Sequence, residues 1–227
     1  MKILHATDLH FNKKRFEWIT NEGSQLDYDI VCLTGDFLNT SYKCKTPIEQ
    51  QIEWITGWTR NLDRPTFICS GNHDIQEERI IESLESLFML DEDDDYREAY
   101  FEEHLSTQAA KADWILELAN RHIFVDHSIT NLNGIKIGCA PYGTEDFSKY
   151  HHCDILLNHQ PPANTETSID KLGDWGCPHL RAALDQKDIE PSLVLSGHIH
   201  KPIKNRTTLG DVEIRNPGVN TEIYTFG

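Results

Sequence analysis

Five groups of residues in this chain combine carboxylate, carboxamide and imidazole side chains at short spacing: Asp8-Leu9-His10, Gly35-Asp36, Gly71-Asn72-His73-Asp74, Asn158-His159 and Gly197-His198-Ile199-His200. Taken singly, most are weak signals. An Asp-x-His triplet is frequent by chance, most Gly-Asp pairs are turns, and a lone His159 is more readily a hydrogen-bonded core or loop residue. Gly-His-x-His behind an apolar run is more specific, and Gly-Asn-His-Asp behind a strand is the strongest of the five. Oxygen and imidazole donors without thiolate suit Mn, Fe, Zn, Ni or Co. Asp8, His10, Asp36, Asn72, His159, His198 and His200 supply seven donors, where a structural zinc needs four. Seven donors with one of them shared fit two divalent ions. Two ions about 3.5–4 Å apart are the usual device for in-line phosphoryl displacement.

The elements that must position these residues are short. Each group follows a brief apolar run, at residues 3–7, 30–34, 67–69, 155–157 and 193–195. Continuous apolar runs of that length fit strands buried on both faces. They alternate with helical patterns, which gives an α/β fold. In open α/β sheets ligands bind beyond the carboxyl ends of the strands, where all five groups lie. Side chains two apart on an extended segment point the same way. That spacing predicts Asp8 and His10 on one side with Leu9 turned to the core, and His198 with His200 in the same relation around Ile199. Gly35, Gly71 and Gly197 allow tight turns and close backbone approach. If strand ends merely collected polar turn residues, nothing would require each of them to carry a metal donor.

Further strands are predicted at 123–125 and 135–140, flanking the turn pair Asn133-Gly134, and at 212–214 and 223–226. Thr46-Pro47-Ile48-Glu49 combines an N-cap, a first-position proline and a capping-box glutamate, and opens a helix reaching about residue 62. Helices are also expected at 77–90, 106–120 and 178–186. Trp54, Trp58 and Trp114 fall in helical segments and read as core or partial core. Residues 91–103 hold eight acids and a single base, Arg97. A solvated loop and helix start is the simpler reading of that stretch, a lid or oligomer contact the sharper one. Asp93-Asp94-Asp95 lacks the Gly and terminal Glu of a calcium loop. His151 and His152 precede a strand and read as surface loop. Lys201 faces either substrate phosphate or solvent. Tyr142 and Phe37 follow strand ends, where turn packing and stacking on a nucleobase are both open.

The chain has 227 residues, read as a single domain over 1–227 with an acidic helical segment at about 79–122. Lys and Arg number 21 against 37 Asp and Glu, a formal net charge of −16. Affinity for a phosphate backbone comes largely from Lys and Arg, so extended nucleic-acid binding is disfavoured, although a local basic groove can survive an acidic average. No apolar stretch approaches the roughly 18–20 residues of a membrane span. The first eight residues are too short and polar for a signal peptide and read as the first strand, which points to the cytoplasm. The six cysteines form no C-x-x-C pair, excluding zinc ribbon and thioredoxin motifs. Cys32, Cys69 and Cys139 lie in apolar runs and read as buried small hydrophobes.

The ordered set from Asp8 to His200, with Asn216-Pro217-Gly218 behind it, resembles the signature of the calcineurin-like metallophosphoesterases and spans nearly the whole chain. More narrowly, His159-Gln160-Pro161-Pro162 and Asp174-Trp175-Gly176-Cys177 resemble a branch of small phosphodiesterases. Asn158 departs from the Gly or Thr usual before that histidine. The resemblance implies a four-layer α/β/β/α sandwich of two mixed sheets flanked by helices. It implies that Asp8, His10, Asp36 and His200 hold one divalent ion, and Asp36, Asn72, His159 and His198 the other. A hydroxide bridging the two would attack phosphorus in line, with His73 as the acid to the leaving oxygen or a stabiliser of the transition state. The expected substrate is a small phosphorylated compound of nucleotide type, with diesters favoured and monoesters open. A nuclease would need a basic groove. A protein phosphatase would carry a G-D-x-x-D-R-G run, whereas Gly35-Asp36 continues as Phe37-Leu38-Asn39. A silent scaffold on the same fold would have lost ligands.

Overall fold

The computed structural model describes residues 1–41, 43–74 and 114–227. Two mixed sheets face each other. The first is built from β1 (Lys2–Ala6), β2 (Ile30–Thr34), β3 (Thr66–Cys69), β4 (Ile123–Phe124) and β11 (Thr221–Thr225), in the order β11-β1-β2-β3-β4. The second holds β5 (Ile129–Leu132), β6 (Ile135–Ala140), β7 (Ile155–Asn158), β8 (Leu193–Leu195), β9 (Arg206–Leu209) and β10 (Val212–Arg215), in the order β5-β6-β7-β8-β10-β9. β1, β2 and β3 run parallel, as do β6, β7 and β8. Helices α1 (Lys13–Thr20) and α2 (Ile48–Thr59) belong with the first sheet, and α3 (Pro178–Asp185) with the second.

Period-2 alternation explains why the strand sequences are apolar throughout. Ile30 and Cys32 face the opposite sheet and meet Ile155, Leu157, Leu193 and Leu195 in one buried cluster. Val31 and Leu33, one residue out of phase, face Phe16, Ile19, Ile55 and Trp58 of α1 and α2. Leu156 and Val194 likewise meet Leu180 and Leu184 of α3. Cys32, Cys69 and Cys139 are fully buried between the sheets. Burial pushes their thiols up, that of Cys139 to about 12.

Asn133-Gly134 does turn a hairpin, with φ positive at both residues (53° and 88°). Its first strand is β5, however; β4 pairs with β3 in the other sheet. β5 and β9 escaped the reading because only alternate residues are partly buried, leaving no apolar run. Thr46 does not cap α2. Pro47 occupies that position without a side-chain cap, and the Gln51 carboxamide donates to Thr46 O (2.8 Å) while accepting from Asn39 N (2.8 Å). Helix α1 was not foreseen, since its polar residues hide the two buried ones, Phe16 and Ile19. The 178–186 helix is present as α3, with Cys177 Sγ accepting from Leu180 N. The 77–90 helix, the acidic run at 91–103 and most of the 106–120 helix lie outside the described residues; what is described of the last is a 3₁₀ turn at Leu116–Leu118. Trp58 and Trp114 are buried and Trp54 packs partly buried against the same core.

Candidate metal centre

Because the two sheets face each other, the ends of β1, β2, β3, β7 and β8 deliver their loops to one place. The loops are not extended, as the i, i+2 argument requires. Asp8, His10, Phe11, Asp36 and His198 all have φ between 43° and 66°, a region costly for residues with a Cβ. Leu9 is nonetheless buried, and so is Ile199. Turns, not strand alternation, aim the donors. The first two loops are zipped together by Asp8 N to Gly35 O (3.1 Å), His10 N to Asp36 O (2.8 Å) and Phe11 N to Phe37 O (2.7 Å).

Two groups of donors result. Asp8, His10, Asp36 and His200 place one ligand atom each within 4.8 Å of one another, and so do Asp36, His159 and His198. Asp36 is common to both. In the first group His10 Nε2 and His200 Nε2 lie 3.0 Å apart, and Asp8 Oδ1 lies 3.2 Å from His200 Nε2. In the second, His159 Nε2 is 3.4 Å from Asp36 Oδ1, and Asn72 Oδ1 lies 3.1 Å from His159 Nε2 and 2.9 Å from His198 Nδ1. All seven sequence-predicted donors are therefore brought together.

The chemistry of these donors fits divalent cations. Asp8 Oδ1 is sealed from solvent yet makes no aligned hydrogen bond among the described residues, an expensive state for a carboxylate oxygen without a cation. Asp8 Oδ2, in contrast, accepts from Thr7 Oγ1 (2.7 Å) and His198 N (3.1 Å). The His159 Nδ1–H faces Thr34 O at 2.7 Å, and His10 Nδ1 faces Leu38 O at 3.3 Å. Those carbonyls take the Nδ1 side of each ring and turn Nε2 to the cluster, the orientation that ligating histidines need. Burial pushes His159 down, but the Asp36 and Asp8 carboxylates outweigh it and hold the ring up to about 10 without a cation, so a bound ion takes the place of its Nε2 proton. Burial pushes the Asp36 carboxyl up, but His159, His73 and His10 outweigh it and hold it far below the usual range. Burial, then His159, pushes His198 down to about 4, favouring the neutral, ligating ring.

Each strained loop is held by a polar side chain from elsewhere. Arg15, on α1, donates Nη1 to Asp8 O and Nη2 to Thr7 O (2.8 Å). Asp74 accepts from Asp36 N (2.8 Å), Phe37 N (2.9 Å), Leu38 N (3.1 Å) and Gly71 N (2.9 Å). Its side chain supports the turn, and among the described residues it makes no hydrogen bond to the His73 ring. Asn216 donates Nδ2 to Gly197 O (2.8 Å), Ile199 O (3.2 Å) and Thr167 O (3.1 Å). Two glycines are required by space. A Cβ on Gly71 would run into the Asp36 carboxylate, and one on Gly197 into Thr7 Oγ1 and Asp8 Oδ2.

His73 lies at the edge of the cluster. Its Nδ1 is 2.5 Å from Thr40 Oγ1, its Nε2 is 3.9 Å from Asp36 Oδ2, and its ring meets His10 edge-on at 5.0 Å. Tyr142, after β6, sets its ring 6.0 Å from His159 and 6.3 Å from His198. Phe37 is buried against Phe16 and Trp114 and offers no stacking face. His151 and His152 are exposed and pack on each other; Lys201 is exposed. Sequence reasoning missed Arg15, Thr7 and Thr34, which carry no motif and act through backbone carbonyls or a hydroxyl.

The model of one protein family, the calcineurin-like phosphoesterases, matches residues 1–202. The chain belongs to that family. Solved structures agree on the fold. One crystal structure aligns over 100% of this chain and 99% of its own at 13% identity, with a TM-score of 0.60. The protein TT1561 of Thermus thermophilus aligns over 98% of this chain and 97% of its own, also at 13% identity, with a TM-score of 0.55. No curated protein matches the chain. Among the described residues no helix is long and apolar enough to cross a membrane.

Proposed function

We propose that this phosphoesterase is a dinuclear, metal-dependent phosphodiesterase acting on small nucleotide-type substrates. The observation that supports the reading is the shared Asp36, which stands in both metal-competent donor groups, so that one carboxylate could serve two cations. Asp8, His10, Asp36 and His200 would hold one ion, and Asp36, Asn72, His159 and His198 the other. Bound divalent ions supply Lewis acidity toward a phosphoryl group and acidify water. The chain's own part is to aim seven donors from loops that its clamping side chains keep in place. His73 stands beside the shared carboxylate with Nε2 turned to the cluster and Nδ1 tied to Thr40. That geometry suits it to hold a proton for the departing oxygen. A formal charge of −16 favours a small substrate over a polyanionic strand.

The test is hydrolysis of paired chromogenic monoester and diester substrates by metal-free protein refilled with Mn, alongside His73→Ala. Metal-dependent diester turnover is expected, with His73→Ala keeping its metal and losing activity most of all on diesters with poor leaving groups, by about 10²–10⁴-fold. Turnover of neither ester by protein shown to hold metal overturns the reading.

A further inference from the structure

The loop after β6 carries a feature that the metal chemistry does not use. A cavity of about 440 Å³ opens there, lined by His127, Tyr142, Thr144, Glu145, Asp146 and Lys149 among others. Tyr142 is common to the cavity and the centre, since its ring also neighbours His159 and His198. Its backbone is fixed, because Tyr142 N donates to Ser70 Oγ at 3.0 Å and so ties the end of β6 to the end of β3. The volume falls in the range of small-molecule sites, about 300–1,000 Å³, room for one ring system and not for a strand. The charge on the rim is also informative. Glu145 and Asp146 are exposed acids, and the lysine beside them, Lys149, donates Nζ to His127 O at 2.7 Å. A second phosphate would meet net negative charge there, whereas a neutral, flat heterocycle bearing N–H donors would meet an aromatic wall and carboxylate acceptors.

We propose that this cavity is the base subsite: it takes the nucleobase of a nucleoside phosphodiester, with Tyr142 as the stacking wall between base and metal centre. The inference rests on the phosphodiesterase reading and names the substrate class of that same site. Base–aromatic stacking is worth about 1–3 kcal/mol per base by alanine substitution, or roughly 5–150-fold.

The experiment compares two chromogenic diesters on the full, Mn-loaded chain: thymidine 5′-(4-nitrophenyl phosphate), and methyl 4-nitrophenyl phosphate, which has nothing to place in the cavity. The ratio of kcat/KM, nucleotidyl over methyl, should exceed one in the wild type, fall about 5–150-fold in Tyr142→Ala and hold in Tyr142→Phe. A second measurement needs no variant. Free thymidine should compete with the nucleotidyl ester while sparing turnover of the methyl ester. An unchanged ratio in Tyr142→Ala, or thymidine inhibiting both esters alike or neither, overturns the base subsite while leaving the phosphodiesterase reading standing. Failure of the metal-loaded wild type to turn over either ester removes that reading, and the subsite with it.

Discussion

The carboxylate of Asp74 accepts the backbone N–H of Asp36 at 2.8 Å, so one acid positions the peptide of another. Asp36 is the donor common to both metal-competent groups, and its φ of 57° is one that a free chain avoids. Asp74 offsets that cost by taking three consecutive N–H groups of the second loop, Asp36 to Leu38, together with Gly71 N of its own. A carboxylate is the side chain that can accept four N–H groups at once when ionised; burial and the neighbouring Asp36 push Asp74 up to about 7 against the pull of those N–H groups.

Each Asp74 oxygen accepts two of the four N–H groups, so Asp74→Asn puts an amide N–H₂ against two of them and leaves both without an acceptor. A buried donor without a partner costs about 1–3 kcal/mol. Removing a group that orients metal ligands costs about 10–100-fold in metal affinity. Thermal unfolding of the metal-free protein and Mn titration should therefore both shift. Unchanged values in both would show that the clamp is dispensable.

Arg15 does the corresponding work for the first loop, through Thr7 O and Asp8 O. Asp8 and His10 belong to one donor group only, and His159 and His198 to the other. Arg15→Ala should weaken one class of Co(II) site about 10–100-fold and spare the second, splitting a titration monitored by the visible spectrum. Equal loss at both sites would mean that the substitution acts on the fold as a whole.

The donors were legible in the sequence because they sit directly behind runs such as 30–34 and 193–195, whose double-sided burial leaves no polar residue until the strand ends. Strand alternation does not account for their convergence. Asp8 and His10 share a side through positive-φ turns, not through strand alternation. What supports them was less visible. Arg15 acts from a helix with a weak apolar pattern, and Thr34 contributes only its carbonyl to His159. A backbone carbonyl leaves no trace in residue identity. The Asn216 segment could be noticed by resemblance, but its use, holding Gly197 O and Ile199 O, is a long-range pairing that no local rule announces.

His5 gives the protein a dependence on acid that is separate from the metal ligands. It is fully buried in β1, with Nε2 2.8 Å from Thr34 Oγ1 and Nδ1 without a hydrogen bond among the described residues. Burial pushes it down to about 3, against the pull of Asp8. The unfolded chain, with an ordinary value near 6.5, binds this proton before the folded one does, so stability rises with pH through that interval. The contribution is complete above about 6.5 and is lost as pH falls toward 3, on the order of a few kcal/mol. His5→Gln should flatten the rise of metal-free Tm between pH 4 and pH 6.5 relative to wild type, the other buried histidines being common to both. Parallel pH profiles would refute the role of His5.

Asp36→Ala separates a shared carboxylate from two independent sites. If Asp36 serves only one ion, its removal leaves the other group, and metal analysis after desalting should still find close to one equivalent. If it bridges, both groups lose a donor: Asp8, His10 and His200 remain on one side, and Asn72, His159 and His198 on the other. Each then falls below the four protein donors a closed site uses. Both also lose a carboxylate whose negative charge balances the cations, so bound metal should drop well under one equivalent and diester turnover should fall with it. Because Asp36 Oδ1 also accepts His73 N at 3.0 Å, Asp36→Asn is the better control for the fold. It keeps an acceptor for that amide while removing the charge, and it should retain a near-native Tm in the metal-free state yet bind metal poorly. Retention of two equivalents by Asp36→Ala would exclude the bridge.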